Sequence, residues 1–366
     1  MGVARRTAAW SSGLLALLCG TVLVSAAHGP VGIDLPVVAR ATLNAVGVPT
    51  GIHLEGATAQ VGGLQLSVPV PDLRYTYPFS FAVPDTDETI VRDIRLPRIL
   101  LGAIVGFALA TAGAIMQGFF RNPMADPSII GVSSGAAVGA VATIAFPFAL
   151  PFGLQTAAFV GAVLAAFGVY VIATEGGRTP VATLLLAGIA IQTFLGAVIS
   201  YLLLQSGESL KEAVLWLMGH LQYSSWGRIE ATLPLTLLLF VVLLAYARDL
   251  NVMLLGEEDA QALGIEVERT KRLLLAGSAL ITAGAVAVAG VIGFVGLIVP
   301  HMMRLVVGPD HRILIPTSAL AGAIFLVLAD TLARSGPAEV PVGIVTAAVG
   351  APFFLFLLRH REVHAL

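Results

Sequence analysis

The chain has 366 residues, of which 57% are hydrophobic and 11% charged, and its formal net charge is -2. Soluble domains carry about 25% charged residues, so a water-soluble globular protein is excluded and an integral membrane protein is implied. The single cysteine, Cys19, excludes an internal disulfide.

Ten apolar stretches follow one another, at about 8–27, 99–118, 129–148, 153–174, 182–205, 231–247, 273–292, 294–307, 314–332 and 342–358. Most reach or approach the roughly 20 residues a helix needs to cross a bilayer. The predicted fold class is an all-α membrane protein of about ten spans. Arg5 and Arg6 precede the first span, and "SAAHG" after it resembles a signal-peptidase site. The run is nevertheless long enough to cross, and residues 1–27 are read as a first transmembrane helix. Cys19 follows Leu18 rather than a small residue, which argues against a lipoprotein site.

Residues 28–94 form the one long segment outside the membrane. Stretches such as "LQLSVPV" and "RYTYPFSFAV" alternate in polarity and lie among Pro and Gly, so short strands are predicted there. The remaining 95–366 reads as one helical core with short connections. "RNPMADPSIIGVSSGAAVGA" (121–140) combines two prolines, an Asn/Asp pair and small residues at the start of a span. Irregular backbone at membrane depth survives only where protein covers it or where it lines a cavity; a tight surface turn is the competing reading. Gly102 and Gly106, Gly131, Gly135 and Gly139, and Gly290, Gly293 and Gly296 have the spacing that brings helix backbones close.

Two faint echoes run through the core. "TAGA" occurs at 111–114 and at 282–285, and "PVATLLLAGIA" at 180–190 resembles "PVGIVTAAVGA" at 341–351. With ten spans, the copies run in opposite directions, as in transporters built from inverted repeats. Two inverted five-helix halves are therefore expected, against the plainer reading of low-complexity Ala/Gly sequence.

"LLGEEDAQALG" (254–264) is a polar island in this apolar chain. Glu257, Glu258 and Asp259 suit the first turn of a helix, where the helix dipole favours anions. Gly264 suits its stop. The piece is too short to cross, and lies on the surface either as a plain connector or as a helix filling a partner's groove. Asp330 and Arg334, at i and i+4 near the end of a span, are placed to pair. His360 and His364 in "HREVH" lack the Glu of a zincin after the first His and read as a solvated tail. His301 reads as a packing residue. No Gly-x-x-x-x-Gly-Lys-Ser/Thr loop surrounds either of the two lysines, so ATP chemistry by that route would reside on another subunit.

Basic residues set the orientation. With the N-terminus inside, 12 Lys and Arg fall on inner segments and 8 on outer ones. A multi-pass protein of the cytoplasmic membrane with both termini in the cytoplasm is expected.

Taken together, "IRLPRILLGAIVGFALATAGAIMQGFFRNPMADPSIIGVSSGAAVG", "WLMGHLQ", "NVMLLGEEDAQALGIEVE", "VAGVIGFVGLIVPHMMRL", "DHRILIP" and "ADTLAR…EVPVGIVTAAVGAPFFLFLL" resemble the permease subunits of binding-protein-dependent ABC importers for cobalamin, ferric siderophores and haem, the FecCD type. The likeness covers about 92–360. It implies a homodimer, two ATP-binding subunits carrying ATP and Mg on the inner side, and an extracytoplasmic solute-binding protein outside. No cofactor held by this chain, no catalytic residue and no nucleic-acid partner are implied, only membrane lipid and these proteins. By overall likeness, not by a diagnostic residue, cobalamin is the expected cargo, with ferric siderophore or haem as the alternative and an ATP-independent secondary transporter as the reading from another class.

The resemblance also implies site residues. Arg95, Arg98 and Arg334 would dock the binding protein. Gly256, Glu257, Glu258, Asp259, Ala260, Leu263 and Gly264 would form the coupling helix, with Ala260 and Leu263 filling the ATPase groove and the acids meeting basic residues. Thr179, Pro180, Val181, Ala182 and Thr183 would form the inner gate loop, although Pro180 and Val181 depart from the Ser/Thr-rich pattern of the family. The segment 28–91 is longer than its counterpart in the family, and is either a docking element or a passive insertion.

Overall fold

The structure, a computed structural model, describes residues 2–61, 64–146, 153–336 and 338–359. Its helices are α1 (Val3–Ala27), α2 (Leu35–Asn44), α3 (Asp85–Thr89), α4 (Leu96–Phe119), α5 (Val132–Ala145), α6 (Gly153–Ala173), α7 (Val181–Gln205), α8 (Leu210–Leu217), α9 (Trp226–Ala245), α10 (Ala247–Met253), α11 (Glu257–Ala262), α12 (Val267–Ala289), α13 (Val295–Val307), α14 (His311–Ala333) and α15 (Val342–Arg359). A π turn, Ile90–Arg95, joins α3 to α4. Strands β1 (Val48–Val61) and β2 (Leu64–Thr76) pair antiparallel as one hairpin between α2 and α3.

Each predicted span has its helix. Among the described residues, seven are long and apolar enough to cross a membrane: α1, the run Asp85–Phe119, α6, α7, α9, α12 and α14. The other three, α5, α13 and α15, are apolar but shorter. The core gathers on α4, whose apolar window is 89% buried, with α14 and α12 against it, whereas α1 and α7 keep most of their surface outward.

Of the predicted glycines, Gly106, Gly135, Gly139, Gly290 and Gly296 lie against neighbouring backbone, whereas Gly102 and Gly131 face side chains and Gly293 has nothing within 4 Å. A side chain on Gly106 would meet the carbonyl of Gly322 across α4 and α14, and one on Gly135 the carbonyl of Gly161 across α5 and α6. Between helices in lipid, such close van der Waals packing replaces the hydrophobic drive available in water.

The two shorter helices flanked by long ones expose the inverted plan. After α4 the chain turns back through a 3-10 turn, Pro127–Ile130, and Gly131 at φ 80 before α5 begins. After α12 it turns back through Gly290 at φ 71 and Phe294 at φ 68 before α13 begins. Gly296 at the head of α13 touches both Gly113 of α4 and Pro127. Gly113 lies six residues before the end of α4, about 9 Å deep at 1.5 Å per residue, so both breaks sit inside the helical layer. A side-chain amide reaches the backbone at each place: Gln192 Nε2 donates to Ile129 O at 2.8 Å in the first break, and Gln117 Nε2 to Leu297 O at 2.9 Å in the first turn of α13, just after the second. This protein-covered irregular backbone is what the 121–140 stretch predicts.

The echoes occupy equivalent places. Both "TAGA" copies lie buried in the middle of α4 and α12, and Pro180 and Pro341 each directly precede α7 and α15. The head of α7 shares one face of the protein with the end of α4 and the head of α12, while the head of α15 meets Met218 at the opposite face. The paired helices thus run in opposite senses.

The long segment before α4 departs from expectation in part. "LQLSVPV" lies in β2, but residues 77–84 form no strand. Asn44 holds that stretch instead, donating to Phe81 O at 2.9 Å and accepting from Phe81 N at 2.8 Å. The Arg92 guanidinium lies 4.5 Å over the Tyr77 ring. β1 begins at Val48, opposite Thr76, so residues 77–84 have no strand to pair with and side-chain contacts fix their path.

Candidate functional site

One face of the helical layer carries the polar island. Here the head of α1 meets α13 and α14, with Arg6 Nη2 donating to Val307 O at 3.0 Å. The tail of α4, the 174–180 connection, α10, α11 and the head of α12 complete the surface, around a recess of about 570 Å³ lined by Phe119, Arg121, Pro180, Glu257, Glu268 and Lys271 among others. At its edge Asp310 caps α14, accepting from Arg312 N at 3.0 Å. The Arg312 side chain, with help from Asn251, holds the Asp310 carboxyl down to about 2 against the opposing effect of burial.

The island folds as predicted but is shorter, six residues of helix. Glu257, Glu258 and Asp259 form its first turn. Gly256 at φ 140 admits the chain, and Gly264 at φ 85 ends it. Gly264 N bonds Gln261 O at 2.9 Å and Ile265 N bonds Ala260 O at 3.0 Å, the paired closure of a Schellman motif. That closure rolls Ala260 inward, where it is fully buried against Met253, Val267 and Ile265. Ala260 and Leu263 therefore do not share an outward face. Leu263 is 64% exposed and Leu255, before the helix, 66%. Glu258 and Asp259 face solvent, whereas Glu257 turns to its own chain.

Its partner is Lys271, which sequence inspection does not single out. Lys271 Nζ lies 2.6 Å from Glu257 Oε1 and 3.1 Å from Glu268 Oε1, and donates to Thr179 O at 3.3 Å. Glu268 Oε2 accepts from Thr179 N at 3.2 Å. The i, i+3 spacing of Glu268 and Lys271 is a legible signal; their meeting with Glu257 and Thr179 is tertiary. Of the 179–183 loop, Thr179 is buried and also bonded to Thr174 Oγ1 at 2.9 Å. Pro180 precedes α7, and Val181, Ala182 and Thr183 form its first turn.

The opposite face holds the three arginines. Arg98 forks Asp330 and reaches Glu339 with Nη1–Oε1 at 2.5 Å. Arg334 donates to Ser25 O at 2.7 Å and His28 O at 2.9 Å, with its Nε 3.4 Å from Asp330 Oδ2. Arg95 is buried and donates to Ala26 O at 2.5 Å and to Val31 O. The three converge on one rim, and each already has partners within the chain. The i, i+4 pairing of Asp330 and Arg334 is present, with Arg98 as its third member. Among the described residues no three His, Cys, Asp or Glu side chains could hold a metal ion; His360 and His364 lie outside the described residues.

Comparison with known proteins agrees with this architecture. The FecCD transport family matches residues 61–360. The chain is 58% identical to the "Cobalamin import system permease protein BtuC" of Halobacterium salinarum, over 99% of this chain and 98% of that one. It is 45% identical to the "Hemin transport system permease protein HmuU" of Yersinia pestis, over 74% of this chain and 83% of the relative. A solved metal-chelate type ABC transporter in an inward-facing conformation superposes with a TM-score of 0.74 at 31% identity, covering 96% of this chain and 98% of the other. Apolar helices packed around paired broken helices, and a family match across four-fifths of the residues, lead to one conclusion: the chain belongs to the FecCD transport family, as a multi-pass permease subunit of an ABC importer.

Proposed function

We propose that this permease carries a corrinoid, cobalamin before any other, into the cell. The observation that carries the reading is the extent of likeness: the match to the cobalamin permease relative spans nearly the whole of both chains, including the outer hairpin region, whereas the haem permease relative covers 74% of this chain. Ferric siderophore or haem is the second reading, favoured by the metal-chelate type of the solved neighbour.

In this reading two copies of the chain enclose the pathway, two ATP-binding subunits holding ATP and Mg sit at the face that bears α11, and a solute-binding protein sits at the other. The face bearing α11 is cytoplasmic, as are both termini. Support comes from the basic residues: Arg5, Arg6, Arg121, Arg178, Lys271 and Arg272 belong to the α11 end. Leu255 and Leu263, apolar and exposed beside the acids of α11, supply the contact for an ATPase groove. At the far rim Arg95, Arg98 and Arg334 are the proposed docking cations. Arg98 is the least enclosed, reaching solvent through the partly exposed Glu339, and is the one an incoming carboxylate would recruit. ATP binding would draw the ATPase subunits together, move α11, and exchange the open and closed ends of the pathway.

The test is uptake into proteoliposomes holding this chain, its ATPase and its binding protein, with labelled cobalamin, ferric siderophore and haem compared. ATP-driven, vanadate-sensitive uptake of cobalamin is expected. Uptake of an iron chelate without corrinoid would replace the cargo, and uptake indifferent to ATP would remove the importer reading.

A further inference from the structure

We propose that Lys271 is a positioning residue for transport: it ties the surface helix α11 to the connection preceding α7, so that displacement of α11 is passed to Thr179 and Pro180. The proposal rests on the importer reading above and adds the link between the ATPase face and the inner gate.

An ammonium has three donors, and Lys271 has three acceptors: the Glu257 carboxylate of α11, the Glu268 carboxylate of its own helix and the Thr179 carbonyl. Its side chain is 3% exposed, so these are contacts in a weakly screened setting rather than a solvated surface pair. Glu268 completes a clasp. One of its oxygens takes Lys271 and the other takes the Thr179 N–H. The N–H and C=O of Thr179 are thus both held by one pair of residues a single turn apart on α12. Pro180 follows directly and lacks an N–H, so Thr179 is the last residue whose peptide N–H can be gripped before α7 starts.

The fourth group, Glu257, opens α11 and is the half-exposed arm of the cluster, its side chain 41% exposed against 26% for Glu268. A push on α11 therefore reaches Lys271 first, then Glu268 and Thr179. Two carboxylates share one ammonium. Movement of Glu257 therefore shifts the ammonium that also holds the Thr179 carbonyl.

The experiment uses the assembled transporter in proteoliposomes, with whichever of cobalamin, ferric siderophore or haem the wild type takes up, and measures molecules imported per ATP hydrolysed. That ratio is insensitive to how much complex assembles, so a merely structural role would leave it unmoved. Lys271→Met is expected to lower the ratio at least tenfold. Lys271→Arg, which keeps the charge and the donors, should recover to within about threefold of wild type. Glu257→Gln removes the charge from the arm to α11 and so weakens it, leaves the clasp on Thr179 in place, and should lower the ratio threefold or more. A wild-type ratio in either Lys271→Met or Glu257→Gln overturns the proposal. If Lys271→Met fails to assemble, Glu257→Gln decides alone. Absence of ATP-driven uptake by the wild type in the same vesicles would instead sink the importer reading, so the two failures are distinguishable.

Discussion

Arg98 of α4 forks the carboxylate of Asp330 on α14, with Nη2–Oδ1 at 2.7 Å and Nε–Oδ2 at 3.0 Å, and Asp330 is all but sealed from solvent. Residues 232 apart are thereby locked at the same end of the two central helices. Removing one partner of a buried pair strands the other charge and costs about 3–5 kcal/mol. Arg334, 3.4 Å away, can only partly take over. Arg98→Ala should therefore lower the unfolding midpoint of the purified protein in detergent, and Asp330→Ala should do the same. The double substitution should cost less than the sum of the singles; additive losses would show that the pair does not act as a unit.

How much of this was legible follows the reach of each signal. The ten spans rest on local apolar runs, and all ten helices stand where the runs lie. The inverted plan was readable from two echoes, at Thr111 and Thr282 and at Pro180 and Pro341, because each repeats a packing demand at an equivalent site. The island at 257–264 was readable because capping is local: acids in the first turn, Gly264 at the stop. What escaped is tertiary. No sequence spacing says that Gly264 closes the helix so as to bury Ala260 and expose Leu263, or that Lys271 faces Glu257 and Thr179. The arginines proposed for docking came from resemblance, and their internal partners, Ser25, Ala26, Asp330 and Glu339, lie far along the chain from them or, within one helix, were legible only for Asp330 and Arg334.

The contact of Gly113 with Gly296 joins α4 to the broken head of α13. A side chain at position 113 would collide with the Gly296 backbone, which cannot swing aside as a flexible side chain does. Overpacking of this kind costs about 1–3 kcal/mol. Gly113→Val is expected to lower the unfolding midpoint, while Gly196→Ala on α7, where nothing lies within 4 Å of the added carbon, should not. Equal midpoints for Gly113→Val and wild type would show that α13 moves freely away from α4.

Asp310 gives stability a pH dependence at the α11 face. The Arg312 hydrogen bond is the largest cause that holds its carboxyl at about 2 in the folded protein, below the ordinary 3.8. A depressed carboxyl favours folding while it is ionised, so the contribution is complete above pH 3.8 and is lost as pH falls through about 2. Asp310→Asn keeps a capping oxygen for Arg312 N but removes the charge that pairs with the Arg312 side chain and favours the head of α14, a loss of about 1–2 kcal/mol for so exposed a pair. Its unfolding midpoint should lie below wild type at pH 7 and converge with it near pH 2. A gap that persists unchanged to pH 2 would mean that charge is not the cause.

Leu263, at the cap of α11, sits three residues after Ala260, yet one faces out and the other in. Substituting aspartate at each separates the two roles of the helix. Leu263→Asp should leave the permease folded, since the side chain has no core to vacate. It should weaken capture of the ATPase subunit by about 2 kcal/mol or more, roughly thirtyfold, the size of an interface hot spot. Ala260→Asp puts an unpaired carboxylate among Met253, Val267 and Ile265, and should unseat α11 and lower thermal stability. The measurements are the unfolding midpoint of the isolated permease and the ATPase retained on affinity purification. Loss of ATPase from Leu263→Asp at an unchanged midpoint places the contact on the exposed leucine. Full retention of ATPase by that variant would move the contact away from Leu263, leaving Leu255 and the solvent-facing acids Glu258 and Asp259 to carry it.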